Sequence, residues 1–331
     1  MLCDSQEQVN RVYPKNVLEE LKKAAGLEEQ CYSKSAVLGQ KEAFGDVTAI
    51  FSTWGMPAFS EEEIRQIFPK LEALFYAAGS VQSFARPFLN CGVKVFSAWA
   101  ANGVPVAEYT VAQIILANKG FFATCRMMNR GQAQESRKIA ADSCYPGNYG
   151  ETVGIIGAGM IGKLVIHMLK SYNLKVKVFD PFLPDETARE LGVSKCSLEE
   201  VFSSCQVVSN HLANNEQTQG MLKGDLFASM RPYATFLNTG RGAQVVEADL
   251  VSVLEMRPDL TAVLDVTFPE PPEEGHAFYH LSNVFLTPHI AGSSGDEVHR
   301  MAEYMAEEYR LFAAGQECRY EVTLEMLQTM A

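Results

Sequence analysis

A cation, a carboxylate and an imidazole follow three successive β-rich runs of this sequence. Arg241 comes just after Ala234–Asn238 in LNTGRGAQVVEADL, with Gly240 and Gly242 on either side. Glu270 follows Thr261–Val266 in LDVTFPEPP, a segment that also offers Asp265, and His289 follows Val284–Leu286 in FLTPHIAGSSG. Ligands of open α/β sheets bind beyond the carboxyl ends of the strands, so the three side chains are candidates for one site. The planar fork of an arginine with small neighbours binds a carboxylate through two parallel hydrogen bonds. An imidazole beside a carboxylate is a general acid–base, because the anion stabilises the imidazolium.

A second constellation lies upstream, in VGIIGAGMIGK. Gly157, Gly159 and Gly162 form GxGxxG, directly after one β-rich run and directly before a helical one. The first glycine permits a tight turn, the second lets backbone approach a pyrophosphate, and the third lets helix and strand pack closely. Asp180, at the end of KVKVFDPF, is the acid expected at the next strand end. A carboxylate there accepts hydrogen bonds from the adenosine ribose and repels a 2′-phosphate. The expected cofactor is therefore NAD.

Alternating elements must carry these residues. Strands are expected at Val47–Ser52, Leu71–Ala77 and Val93–Ala98, with helices at Val17–Ala25 (capped by Asn16) and from Glu61 to Phe68. One long apolar helix is expected over Pro105–Met128, then a Gly/Pro break at 145–150. A second set of strands follows at Thr152–Ile156, Lys175–Phe179, Gln206–Asn210, Ala234–Asn238, Thr261–Val266 and Val284–Leu286, with a capping-box pattern at Ser197 and Glu200. The last helix is expected at Glu297–Ala314, with Met301, Tyr304, Met305, Glu308 and Leu311 as its core stripe. This rhythm is that of a parallel α/β fold.

The chain has 331 residues, enough for two domains, and 47% of them are apolar. A formal net charge of −12 without any basic run argues against phosphate-backbone binding, so no nucleic-acid partner is expected. The start, MLCDSQEQVNRVYPK, lacks the pattern of a secretory signal, and no run approaches membrane-spanning length. The 8 cysteines are scattered without CxxC, which fits reduced thiols in a cytoplasmic protein better than disulfides or a metal site.

Taken together, GxGxxG at Gly157–Gly162, NxxRG at Asn238–Gly242, DVxxxEP at Asp265–Pro271 and PHIAG at Pro288–Gly292 resemble, in order and spacing, the D-2-hydroxyacid dehydrogenases. The likeness runs from about Val47 to Arg310 and includes AANGVPVAEYT, similar to the entry of the family's interdomain helix. It implies an NAD-binding Rossmann domain, residues 102–295, inserted in a flavodoxin-like substrate domain, residues 1–101 and 296–331. It implies hydride transfer between a 2-oxo acid and a D-2-hydroxy acid. Arg241 would bind the substrate carboxylate, His289 would move the proton and Glu270 would be its partner. Gly157, Gly159, Met160, Ile161, Gly162, Asp180, His211, Leu212, Thr239 and Asp265 would hold the cofactor. Trp54 and the loop residues Ala78, Gly79 and Ser80 would meet the substrate. A homodimer through the helix near 105–128 is also implied.

The sequence departs from the family at two places. His211-Leu212-Ala213 lacks the proline of the usual His-x-Pro, and two roles stay open for His211, facing the nicotinamide or packing. Trp54 likewise either walls a pocket or packs. Ala77 stands where phosphoglycerate dehydrogenases tend to carry an arginine, which counts against a phosphorylated substrate. The other readings are a formate dehydrogenase, disfavoured because that group has Gln where Glu270 stands, and a corepressor-like NADH-binding scaffold that performs no chemistry.

Overall fold

Unbroken burial, rather than alternation, marks the central strands of the protein, as expected of parallel sheets covered on both faces. The computed structural model describes residues 1–328. The chain divides into two compact units, Met1–Gly103 with the segment from Ser293 onward, and Val104–Gly292.

The first unit is built on the parallel strands β1 (Ala49–Ser52), β2 (Ala73–Tyr76) and β3 (Lys94–Ser97). Single bridges from Leu2 to Ser52 and from Leu2 to Tyr32 extend the sheet on the β1 side. The order Tyr32, Leu2, β1, β2, β3 is that of a flavodoxin-like sheet. Glu321–Val322 adds a short antiparallel strand beside β3 that periodicity did not reveal, since two residues show no pattern. Phe51, Phe75 and Phe96 stack on one face, their centroids 5.1 and 4.8 Å apart. Tyr309 and Phe312 of the helix His299–Ala313 meet Phe75 edge-on. That helix, expected from Glu297, begins at His299 after a 3-10 turn at Gly295–Val298. Met301, Met305 and Glu308 of its stripe are buried. Glu308 belongs there because its carboxylate accepts the N–H groups of Arg319 and Tyr320, fixing the loop before Glu321–Val322.

Two further helix boundaries differ from expectation. The helix Lys15–Ala25 starts before Asn16, which is not its cap. Pro14, with φ −69°, presets the first turn, and its carbonyl accepts Val17 N–H at 3.0 Å and Leu18 N–H at 3.1 Å. The long helix expected over Pro105–Met128 is two helices, Trp99–Asn118 and Phe121–Asn129. Gly120 breaks it with φ +69°, and a Cβ there would lie 2.3 Å from the Tyr145 ring.

The second unit is a fully parallel seven-stranded sheet: β4 (Tyr149–Ile156), β5 (Asn173–Phe179), β6 (Ser194–Lys195), β7 (Val207–Asn210), β8 (Thr235–Asn238), β9 (Thr261–Leu264) and β10 (Val284–Leu286). Its order is β10-β9-β8-β7-β4-β5-β6, so the direction of winding reverses between β4 and β7. This is the Rossmann arrangement, and the reversal opens a ligand crevice at the carboxyl ends of those two strands. The edge strand β6, two exposed residues, was not foreseen. Ser197 caps the helix Leu198–Ser204 through Glu200 N–H, but Glu200 does not close the capping box, because its carboxylate pairs with Lys177 at 2.7 Å. No helix among the described residues is long and apolar enough to cross a membrane.

Candidate active site of the Rossmann unit

The glycine loop leaves β4 at Gly157, whose φ of +87° demands glycine. A Cβ at Gly157 would come within 2.8 Å of the His211 carbonyl oxygen, and one at Gly162 within 2.1 Å of the Gly157 carbonyl oxygen. Gly159 is different: nothing lies within 4 Å of the position its Cβ would take. Two glycines thus serve internal packing and one opens a face to a ligand. Met160 and Ile161 begin the helix Met160–Leu169, and their N–H groups have no acceptor among the described residues. An anion fits this end. Asp180 stands just beyond β5 and braces the loop, accepting Ala158 N–H at 2.7 Å and Phe182 N–H at 2.8 Å. Each of its oxygens keeps a lone pair for a ribose hydroxyl. The cradle fits a dinucleotide.

His211 and Leu212 follow β7. His211 Nε2 lies 2.9 Å from Ser209 Oγ, its Nδ1 is buried without a partner, and desolvation brings its pKa down to about 4. The ring is therefore neutral near pH 7. Thr239 is buried beyond β8, its hydroxyl 3.2 Å from that of Thr110.

Three successive strands carry the candidate reactive groups. Gly242 lets the turn after β8 press on the end of β9, since a Cβ there would lie 2.0 Å from the Thr267 carbonyl carbon. Arg241 donates from Nη1 to the Gly240 carbonyl at 2.8 Å. Burial lowers its pKa and the charge of Glu270 opposes that effect. Glu270 Oε1 lies 2.7 Å from His289 Nδ1, so that nitrogen carries the proton of the pair and Nε2 is left for chemistry. Both side chains are about half exposed, which gives a substrate access. A cleft of about 440 Å³ is lined by Arg241, Glu270, Thr267, Phe268, Asn214 and Gln219, among others.

Asp265 was expected at the cofactor; its carboxylate bonds to the His289 segment. Its Oδ1 accepts Thr287 Oγ1 at 2.6 Å and Ile290 N–H at 2.8 Å, and its Oδ2 accepts Ala291 N–H at 2.9 Å. His289 itself has φ +54°, unusual for a residue with a side chain, and its N–H is held by the Asp265 carbonyl at 3.0 Å.

Sequence reading missed several buried polar groups behind this site. Glu247 accepts Phe268 N–H at 2.8 Å, two residues before Glu270, and burial raises its pKa. Asn210, Asn238 and Gln244 form a closed amide cluster at the ends of β7 and β8. The available signal was polar residues ending otherwise apolar strands.

The other expected substrate residues lie in the first unit. The Trp54 ring has the Arg11 guanidinium 5.8 Å from its centroid, and its carbonyl accepts Cys3 Sγ at 3.2 Å. The Ala78 and Gly79 carbonyls accept Ser97 Oγ at 3.0 and 2.6 Å, while the N–H groups of Gly79 and Ser80 have no acceptor among the described residues.

A sequence model of the D-isomer specific 2-hydroxyacid dehydrogenase, NAD binding domain, matches residues 111–291. A D-3-phosphoglycerate dehydrogenase of Bacillus subtilis is 32% identical over 228 residues, covering 68% of this chain and 42% of that protein. One from Archaeoglobus fulgidus is 27% identical over 72% of this chain and 44% of its own length. The matches thus span less than half of these relatives. Among solved structures, Rhodotorula graminis D-mandelate dehydrogenase superposes with a TM-score of 0.79 at 18% identity, covering 97% of this chain and 96% of the other. A D-isomer specific 2-hydroxyacid dehydrogenase of Lactobacillus delbrueckii, in its NAD-complexed form, gives 0.75 at 18% identity, covering 93% of this chain and 96% of the other. At such identity these structures speak for the fold alone.

Proposed function

The chain belongs to the D-isomer specific 2-hydroxyacid dehydrogenase family, and on that premise we propose that it reduces a 2-oxo acid to a D-2-hydroxy acid, and the reverse, with NAD(H). The observation that carries the proposal is the 2.7 Å contact between Glu270 and His289 on the strand ends that also present Arg241. Bound NADH supplies the hydride. Arg241 holds the substrate carboxylate with its fork and polarises the 2-oxo group. His289 delivers a proton from Nε2 to the 2-oxo oxygen, and Glu270 stabilises the imidazolium from Nδ1. In the oxidation direction Nε2 takes the proton back.

The substrate we infer carries one anionic group. Among the described residues, Arg241 is the only basic one lining the cleft described above. We also infer a homodimer that covers the helices Trp99–Asn118 and Phe121–Asn129, because Leu116, Phe121 and Met128 stand 36%, 45% and 51% exposed. Light scattering should give twice the mass of one chain.

The test is NADH oxidation against glyoxylate, hydroxypyruvate, pyruvate, and branched and aromatic 2-oxo acids. Turnover on at least one is expected. NADH binding with no turnover on any would replace the enzyme by a nucleotide-sensing scaffold.

A further inference from the structure

The backbone of Arg241 is held by side chains. Its N–H donates to Gln244 Oε1 at 3.2 Å and its carbonyl accepts Asn238 Nδ2 at 3.2 Å. No backbone group among the described residues bonds to either. Further along the turn the situation reverses. Ala243 and Gln244 carbonyls accept Gly220 and Leu222 N–H groups at 2.9 Å, so there backbone pairs with backbone.

Gln244 is fully buried and fully used. Its Oε1 also accepts Asn210 Nδ2 at 2.6 Å, and its Nε2 donates to the Leu212 and Ala213 carbonyls at 2.8 and 3.0 Å. Asn210 donates its other proton to Asn238 Oδ1 at 3.0 Å and accepts Leu212 N–H at 3.2 Å. Asn238 Oδ1 accepts Gly240 N–H at 3.1 Å. A saturated buried network of this kind is rigid, and losing one member strands several polar groups. The segment it grips, Leu212–Ala213, is where the expected family proline is missing. The network therefore anchors the Arg241 turn to the end of β7.

We propose that Gln244 is a positioning residue for substrate recognition, setting the direction of the Arg241 guanidinium through the Arg241 N–H. This rests on the carboxylate-binding role given to Arg241 above. The readout that isolates it is the preference for a carboxylate. Reduction of a 2-oxo acid is compared with reduction of its amide, pyruvate against pyruvamide or the equivalent pair for whichever acid of the panel is turned over. Gln244→Met removes every polar bond, and the milder Gln244→Asn falls one methylene short of Arg241 N–H. Both are checked for folding by circular dichroism and for NADH affinity.

The acid-to-amide ratio of kcat/KM should fall roughly ten- to hundredfold in Gln244→Met, the range that a misplacement of about 1 Å produces, and less in Gln244→Asn. A purely structural role would lower both substrates alike. Arg241→Lys is the control and should also lose the ratio. If Arg241→Lys loses it while a folded Gln244 variant keeps it, Gln244 does not position Arg241. If Arg241→Lys itself keeps the ratio, the role given to Arg241 fails instead.

Discussion

The main-chain carbonyl of Asp265 accepts His289 N–H at 3.0 Å, while its carboxylate holds the next two N–H groups, those of Ile290 and Ala291. One residue at the end of β9 thus sets the backbone that presents the imidazole after β10. Asp265→Ala should lower kcat by roughly tenfold or more through a misplaced His289 and leave NADH affinity nearly unchanged. Steady-state rates combined with NADH fluorescence titration decide this. A weakened NADH complex with intact kcat would assign Asp265 to the cofactor instead.

Removing the imidazole should abolish general acid catalysis. His289→Ala is expected to reduce turnover by about 10²–10⁴-fold with NADH binding preserved. Glu270→Gln should act more mildly, lowering kcat by roughly tenfold, because a neutral amide orients His289 Nδ1 less firmly than a carboxylate does, with NADH affinity unchanged. An unaltered kcat in Glu270→Gln would refute the pairing as the acid–base couple.

Cofactor choice should follow Asp180, whose carboxylate is fixed at 2.7 Å from Ala158 N–H. NADH should be the better reductant by kcat/KM, and Asp180→Ala should narrow the gap by removing the charge that repels a 2′-phosphate. An equal use of NADPH by the unaltered protein would count against this.

Substrates with a second anionic group should be poor. The segment 77–84 contains no Lys, Arg or His. Competition between 3-phosphohydroxypyruvate and unphosphorylated 2-oxo acids should favour the latter. Preference for the phosphorylated acid would reveal a basic group acting at the site that this reading does not include.

His211 predicts an acid-sensitive fold. Its pKa is about 4 in the folded protein against 6.5 for a free imidazole, because burial disfavours the charged form. Above pH 6.5 both states are neutral and nothing is lost. Between pH 6.5 and 4 only the unfolded chain binds the proton, so stability should fall by at most about 1.4 kcal/mol per pH unit. In His211→Leu, urea unfolding should show a shallower loss of stability over that window. An identical pH dependence in the variant would mean that the ring is solvated.

Much of the site was legible because it is local. GxGxxG encodes one turn, in which Gly157 is required by its φ of +87° and Gly162 by the carbonyl of Gly157 just before it. Arg241, Glu270 and His289 each follow an apolar run, so their placement at strand ends needs only the period of the strands. The polar groups behind them were less legible. Asn210 meets Asn238 and Gln244 across 28 and 34 residues, and Asp265 meets Ile290 across 25.

The sequence by itself determined the parallel α/β architecture, the glycine turn and the placement of Arg241, Glu270 and His289 after successive strands, since these follow from periodicity and from the backbone freedom of glycine. Tertiary structure alone decided the break at Gly120, which a left-handed residue inside an apolar run conceals, and the strand Glu321–Val322, too short to have a period. It also decided that Asp265 braces the His289 loop and that Gln244 ties the Arg241 turn to Asn210 and Leu212. Those bonds depend on which strands become neighbours and in what register, and neither property is written in any single stretch of chain.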